Sequence, residues 1–198
     1  MTKEKDQKKN PLIREQPLTY DDYANLPDDG NRYELDDGVL ELMSPAPSPR
    51  HQVIGLKLAQ IIMNTCESEY ILLTPPIDVL LSNREVRQPD LVMVHRSRAS
   101  IITKRAIEGP PDLVAEILSP HSIRRDKQRK LASYAKHGIP EYWIIDPRNE
   151  VLERYVNADG KYELQDIFMQ DEPVRSDRLP CVSFTVAQLM AAAALLPD

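Results

Sequence analysis

Two acidic residues stand in segments that otherwise have the composition of buried strands. Asp90 opens the apolar run 91–94, and Glu116 lies inside the run 113–118. Short runs of branched apolar residues between turn formers predict strands that are covered on both faces. A carboxylate buried there needs a cation, hydrogen bonds or a metal to compensate for its lost hydration. On neighbouring strands, the pair predicts a hard-cation site of oxygen ligands; the alternative is that each carboxylate ends a strand, solvated or paired with an arginine.

A helix expected over residues 123–137 carries further polar groups. Asp126, Lys130 and Tyr134 stand at i, i+4 and i+8, so they share one helix face, with Lys127 beside them. A lysine near two metal-binding carboxylates could orient a nucleophilic water or neutralise charge at a scissile phosphate. The alternative from spacing alone is that Asp126 and Lys130 form a surface ion pair worth about 0.3–0.5 kcal/mol.

Several motifs follow one another in a characteristic order. They are Tyr-Glu-Leu-Asp-Asp-Gly at 33–38, Ser44-Pro45 with His51, Gln88-Pro89-Asp90, the segment 109–120, Asp126 with Lys130 and Tyr134, and the segment 138–147. In this order and spacing the chain resembles the Uma-two family of restriction endonucleases, which belongs to the PD-(D/E)XK nuclease superfamily. The resemblance extends over roughly residues 18–192.

The resemblance implies a Mg²⁺-dependent phosphodiesterase core, with Mn²⁺ as an alternative cofactor. Asp90 corresponds to the first acid and Glu116 to the second, and both would bind the metal together with the Ile117 carbonyl. The superfamily pattern places a lysine two residues after the second acid, where this chain has Leu118. We expect Lys130 from the following helix to replace it, with Lys127 as the fallback.

Four further residues are candidates for the site. Glu34 matches the family's upstream glutamate as a further catalytic acid. It lies, however, among eight acids and one base between positions 20 and 41, so a solvated hairpin carboxylate is the alternative. Gln88 could bind water or phosphate beside the ligands, or only end a loop. His51 and Asp126 are candidates for supporting the site, and the alternative for His51 is a helix-cap or surface residue.

The elements that must position these residues are those of an α/β protein (an α+β fold with a mixed sheet). The pattern predicts a short helix over 20–26 capped by Thr19, a hairpin within 32–43, a helix over 51–66, strands near 71–81, 89–95 and 112–118, a helix over 123–137 and a strand over 141–146. A second hairpin, 151–156 with 162–168, and a closing helix over 186–196 follow. This order matches the restriction-endonuclease-like αβββαβ core that the resemblance implies.

Length and composition limit the number of domains and the cellular setting that we expect. With 198 residues and 41% hydrophobic content, the chain predicts a single endonuclease-like domain over 18–198, after a disordered tail over 1–17. There is no apolar run of the ~18 residues that a membrane span needs and no signal-peptide pattern at the start, so we expect no membrane association and a cytoplasmic protein. Cys66 and Cys181 predict no disulfide framework and no metal site, and both are expected to pack as small apolar residues.

The net charge of −6 weighs against nucleic acid as the substrate. The local balance differs, because six basic residues accompany the single acid Asp126 between positions 121 and 136. A second basic patch comprises Arg96, Arg98, Lys104 and Arg105. If these runs flank the site, they would steer phosphates toward it; if not, they are a solvated helix face and a polar loop.

Two functions from different classes fit the sequence. The first is a metal-dependent endonuclease acting on DNA, as a homodimer suited to cutting two strands. The second is a catalytically silent relative that binds nucleic acid or acts as an oligomeric interaction module. Leu118 and the acidic net charge favour the second, whereas both acids and a candidate lysine favour the first. Another Mg²⁺-dependent phosphate-ester hydrolase fits the acids alone, but the chain has no glycine-rich phosphate loop.

Overall fold

A computed structural model of the chain describes residues 16–43, 46–120 and 122–197. The first half contains α1 Tyr20–Ala24, β1 Tyr33–Asp36, β2 Val39–Leu42, α2 Pro49–Cys66, β3 Tyr70–Leu73, β4 Val79–Ser82, β5 Glu85–Arg87, β6 Leu91–His95 and a 3₁₀ helix Arg96–Ile101. The second half contains β7 Ile107–Glu108, β8 Leu113–Ile117, a π-helix Arg125–Lys130, α3 Leu131–Lys136, β9 Glu141–Asp146, β10 Val151–Ala158, β11 Lys161–Met169, β12 Pro173–Val174, β13 Phe184–Thr185 and α4 Val186–Ala191.

The largest sheet is mixed, in the order β11-β10-β9-β8-β6-β3. Strands β6 and β8 pair antiparallel, with Leu91 opposite Ala115, whereas β8 and β9 pair parallel. This pairing brings the start of β6, which Asp90 precedes, beside the end of β8, which holds Glu116. The predicted α/β class with a mixed sheet is confirmed, and so are the strands expected near 89–95, 112–118 and 141–146.

The strand expected over 71–81 is wrong as a single element. The segment forms β3 and β4, which belong to different sheets, with the cis-linked Pro75 and Pro76 between them. Proline has no backbone N–H, so it cannot continue a ladder of strand hydrogen bonds. After this break β4 joins a second sheet, in the order β2-β1-β5-β4-β7, which includes the predicted N-terminal hairpin.

The two faces of β8 meet different layers. Leu113, Ala115 and Ile117 are buried in a core that includes residues of α2 and α4. Val114 is buried in a second cluster with Leu118 and with residues of α3 and β9. Because successive side chains of a strand point to opposite faces, Glu116 shares the α3 side with Val114.

The helix expected over 123–137 is present but irregular. Its turns from Arg125 to Lys130 are π-helical, and regular α-helix continues from Leu131 to Lys136. Single π-helical turns inside helices often occur at functional sites. The closing helix is shorter than the predicted 186–196, because α4 ends at Ala191.

The cysteine prediction is wrong, because Cys66 and Cys181 form a disulfide across 115 positions of the chain. Cys66 ends α2, and Cys181 precedes β13 and α4. Residues of α2 and α4 share one hydrophobic core, and that packing brings the two sulfurs together. Nothing in the spacing of two cysteines indicates such a contact.

Some expectations fall on parts of the chain that the structure does not describe. The tail expected over 1–17 falls mainly on residues 1–15, and the motif residues Ser44 and Pro45 are likewise outside the described ranges. The single-domain assignment of 18–198 stays a prediction. Of the helices in the described ranges, none is long and apolar enough to cross a membrane.

Candidate active site

Asp90 is held at the start of β6 by two neighbouring elements. Its Oδ2 accepts a hydrogen bond from the backbone N–H of Ile117 at 2.8 Å and lies 3.1 Å from Nε2 of His51. His51 belongs to the first turn of α2, where its backbone N–H donates to the capping Ser48. Burial would raise the pKa of Asp90, but the bond from His51, the charge of His51 and the Ile117 N–H hold the pKa below its usual value.

Glu116 lies on the α3 side of β8 and is 3% exposed. Its Oε1 accepts hydrogen bonds from Nζ of Lys130 at 2.7 Å and from the hydroxyl of Tyr134 at 2.8 Å. Burial raises the pKa of Glu116 to about 8, and the nearby charges of Asp126 and Asp90 add to this rise against the lowering effect of Lys130. Without a further cation, this carboxyl group therefore retains a proton far above its ordinary pKa.

Lys130, the lysine that the sequence predicted as the substitute, lies inside the acidic cluster. It is 1% exposed, and its Nζ is 3.2 Å from Oε1 of Glu34 and 3.8 Å from Oδ1 of Asp126, in addition to its bond to Glu116. Burial would lower the pKa of Lys130, but Glu116, Glu34 and Asp126 raise it above its usual value. The group therefore stays an ammonium ion at neutral pH. The surface ion pair proposed for Asp126 and Lys130 is wrong, because both side chains are buried.

Glu34 is buried, so the alternative of a solvated hairpin carboxylate is wrong. It is 1% exposed, and its Oε1 accepts the backbone N–H of Gln88 at 2.9 Å. Its Oε2 lies 3.6 Å from Nη1 of Arg87 and makes no hydrogen bond. Burial would raise the pKa of Glu34, but Lys130 and Arg87 together lower it.

Arg87 belongs to this cluster and was missed by the sequence reasoning. It is fully buried and forms ion pairs with Asp36 at 2.8 Å and Glu85 at 2.6 Å, besides its contact with Glu34. The available signal was a short strand, Glu85–Arg87, with two charged residues directly before Gln88-Pro89-Asp90. A buried strand tolerates such charges only when they pair.

Other candidates lie elsewhere or are already bound. Lys127 donates to Oε1 of Glu153 at 2.5 Å and does not line the site, so the fallback for Lys130 is not supported. The side-chain amide of Gln88 is bound to protein groups at both ends. In the second basic patch, Arg96 donates to a backbone carbonyl and Arg98 to Asp112, and neither lines the site.

The site opens into a cavity of about 450 Å³. Its walls combine acidic, basic and apolar groups, among them Arg32, His51, Gln88, Asp90, Glu116, Ile117, Arg125, Asp126 and Lys130. Six of the predicted residues thus line one space, namely Asp90, Glu116, Lys130, His51, Asp126 and Gln88. Glu34 contacts Lys130 but does not line the cavity. Of the first basic run, Arg125 also reaches this cavity, while Arg129 is bound to Glu41.

The residues fit a hard cation only in part. Within the described ranges, no three or more side chains of His, Cys, Asp or Glu form a metal-binding group. Three carboxylates still line the cavity, those of Asp90, Glu116 and Asp126, and Oδ1 of Asp126 is buried without a hydrogen bond. Mg²⁺ commonly takes one or two carboxylates and keeps several waters. The carboxylates of Asp90 and Glu116 are thus of the type and number that such an ion takes.

A family of known proteins matches the chain over residues 20–187, and its description is "Uma2: Putative restriction endonuclease". The chain belongs to the Uma2 family. The predicted resemblance is therefore confirmed. No curated protein sequence matches the chain.

Among solved structures, the Uma2 chain is similar to one described as "a putative nuclease belonging to DUF820" from Anabaena variabilis ATCC 29413. The TM-score is 0.74 at 19% sequence identity, and the match covers 89% of this chain and 99% of the other. At this identity the likeness shows the fold, and it confirms the restriction-endonuclease-like architecture. Family and fold together support a nuclease.

Proposed function

We propose that this Uma2 protein is a metal-dependent endonuclease that hydrolyses phosphodiester bonds of DNA. The observation that carries the proposal is the contact of Lys130 with Glu116 at 2.7 Å, in the cavity that Asp90 also lines. Two acids and an ammonium group in one cavity are the groups that this hydrolysis needs. Lys130 lies in the helix that follows β8, whereas the superfamily pattern would place the lysine two residues after Glu116, at position 118.

Asp90, Glu116 and the Ile117 carbonyl are the proposed ligands of Mg²⁺ or Mn²⁺. When bound, the metal supplies Lewis-acid stabilisation of phosphate charge and activation of water. His51 and the Ile117 N–H both engage Oδ2 of Asp90. They fix the carboxylate plane and leave Oδ1 for the cation.

Lys130 acts in this proposal as a fixed positive charge and a hydrogen-bond donor. Its raised pKa excludes it as a general base at neutral pH. It orients the attacking water through its N–H groups and offsets the negative charge that develops on the phosphate. Glu34 also contacts Nζ, at 3.2 Å, and Arg87 compensates the charge of Glu34.

DNA as the substrate, a homodimer and a cytoplasmic location belong to the proposal as well. Arg125 in the cavity wall supports binding of a phosphate backbone. A dimer suits cutting of two strands. The cytoplasmic location stays a prediction from the sequence, and the Cys66–Cys181 disulfide is unusual for that compartment.

The test is cleavage of supercoiled plasmid and of single-stranded DNA with Mg²⁺ or Mn²⁺. Wild-type protein should nick DNA only with the metal, and Asp90→Asn and Glu116→Gln should both abolish nicking. If no substrate is cut with either metal, the endonuclease proposal fails and the silent, nucleic-acid-binding module takes its place.

A further inference from the structure

Arg32 is held in place by a neutral partner. Its Nε and Nη2 donate to the same acceptor, Oε1 of Gln88, at 3.0 and 2.5 Å. In the described part of the chain, Arg32 forms no ion pair with an acidic side chain. The guanidinium is thus fixed on one edge, with no carboxylate of the described residues within ion-pair distance, and its charge acts on Asp78 only from farther away.

The other basic side chains around the site differ from Arg32 in this respect. Each of them lies within ion-pair distance of a carboxylate: Lys130 of Glu116, Arg87 of Glu34, Arg125 of Asp126, Arg129 of Glu41 and Lys127 of Glu153. Each of these charges therefore already has an acidic partner within the protein. Of these six side chains, Arg32 alone is held by a neutral group and has no carboxylate within ion-pair distance among the residues that the structure describes.

Gln88 is itself held in one orientation. Its Nε2 donates to Oδ1 of Asp78 at 2.8 Å and to the hydroxyl of Tyr23 at 3.2 Å. That hydroxyl lies 3.0 Å from both Asp78 Oδ1 and the carbonyl of Tyr33. A rotated amide would lose these bonds, so the amide oxygen must face Arg32.

Arg32 and Gln88 line the same cavity as Asp90, Glu116 and Lys130. Lys130 is 1% exposed and lies deep in the cluster, whereas Arg32 is exposed. A planar guanidinium with free N–H groups suits the oxygens of a phosphate. Its exposed position places it outside the reacting centre but within the same open space.

We propose that Arg32 binds a substrate phosphate that flanks the scissile bond, and that Gln88 is the positioning residue that holds Arg32 in place without pairing its charge. The inference rests on the proposed function. A glutamate at position 88 would hold Arg32 equally well but would neutralise it. The neutral amide therefore holds the arginine by hydrogen bonds without forming an ion pair with it.

The first experiment measures binding of an oligonucleotide to full-length protein over a range of salt concentrations. It uses the Glu116→Gln background, so that cleavage does not interfere. Arg32→Gln should weaken binding about tenfold, as for one lost phosphate contact. It should also reduce the slope of log K against log[salt] by about 0.7–0.9. Arg129→Gln, which breaks a surface pair with Glu41 away from the cavity, is the matched control and should change neither value.

Three variants separate phosphate binding from a structural role. Gln88→Glu should reproduce the reduced slope although Arg32 is still present, and Arg32→Lys should restore the slope with only part of the affinity. In the active protein, Arg32→Gln should raise KM and leave kcat within about twofold, as expected for a contact made equally in ground and transition states. Thermal melts check that each variant is folded.

Two results would overturn the inference. One is an unchanged salt slope in both Arg32→Gln and Gln88→Glu while the parent protein binds DNA. The other is a loss of kcat in Arg32→Gln without a rise in KM. If the parent protein neither binds nor cuts any DNA, the proposed function fails first, and the inference fails with it.

Discussion

Nζ of Lys130 lies 2.7 Å from Oε1 of Glu116, although the two residues are 14 positions apart and belong to a helix and a strand. Glu116 faces the layer that contains α3, so the helix can deliver an ammonium group directly to it. Leu118, at the position where the superfamily has lysine, is buried with Tyr134 and Ile144 instead. In the proposed mechanism, Lys130 supplies the positive charge near the second acid from the neighbouring layer.

The mutation Lys130→Met should destabilise the protein in a pH-dependent way. It leaves Glu34, Asp126 and Glu116 buried without their shared cation, and breaking such a pair costs about 3–5 kcal/mol. Glu116 has a folded pKa of about 8, above the ordinary value of 4.5, so its contribution to stability is present at low pH and is lost as the pH rises through about 8. Removing Lys130 raises this pKa further.

The loss of unfolding free energy should therefore be larger at pH 9 than at pH 6, as measured by denaturant melts. Lys127→Met is the matched control, because Lys127 forms a partly exposed pair with Glu153. That change should cost about 0–1 kcal/mol at either pH. Equal losses for the two variants would contradict the buried position of Lys130.

Mg²⁺ or Mn²⁺ should raise the melting temperature of the wild-type protein, because a ligand of the native state stabilises it by mass action. Asp90→Asn should abolish this shift, since it removes the charge of a proposed ligand. Asp37→Asn is the control, because Asp37 is an exposed partner of Arg84 and should leave the shift intact. A shift that survives in Asp90→Asn would place the metal elsewhere.

His51→Ala should weaken metal binding without abolishing it. The imidazole holds Oδ2 of Asp90 at 3.1 Å, and losing such a support typically costs about 10–100-fold in metal affinity. Titration calorimetry with Mn²⁺ measures the change. His137→Ala is the control, since His137 contacts the Ser133 carbonyl at the end of α3. Equal affinities for His51→Ala and wild type would show that His51 does not position Asp90.

The Cys66–Cys181 disulfide predicts the number of free thiols and a loss of stability on reduction. Protein purified without reductant and then unfolded should show no free thiol, because Cys66 and Cys181 are its two cysteines. Reduction, or Cys66→Ser with Cys181→Ser, should lower the unfolding free energy by about 2–5 kcal/mol. Two free thiols in the unreduced protein would mean that the bond does not form.

Much of the site could be predicted from the sequence because its parts are local patterns. The i, i+4, i+8 spacing of Asp126, Lys130 and Tyr134 placed them on one face, and the structure has Lys130 and Tyr134 on the same oxygen of Glu116. The strands that carry Asp90 and Glu116 followed from apolar runs between turn formers. These signals depend only on residues close in the chain.

What the sequence did not indicate depends on long-range contacts. The burial of Arg87 had no local signal, because its partners Asp36 and Glu34 lie on another strand, over 50 positions away. The burial of Glu34 was hidden by the acidic residues around it. The disulfide follows from the packing of α2 against the C-terminal segment, which no local pattern specifies.

The most direct measurement is metal-dependent plasmid nicking by wild type, Lys130→Met, Lys130→Arg and Lys127→Met under identical conditions. The site predicts nicking by wild type and by Lys127→Met, and a loss of at least about 10² in rate for Lys130→Met, as is typical for loss of a group that stabilises transition-state charge. Lys130→Arg keeps the charge and should retain part of the rate, which separates a catalytic loss from misfolding. If Lys130→Met nicks the plasmid at the same rate as the wild-type protein, the proposed role of Lys130 is contradicted.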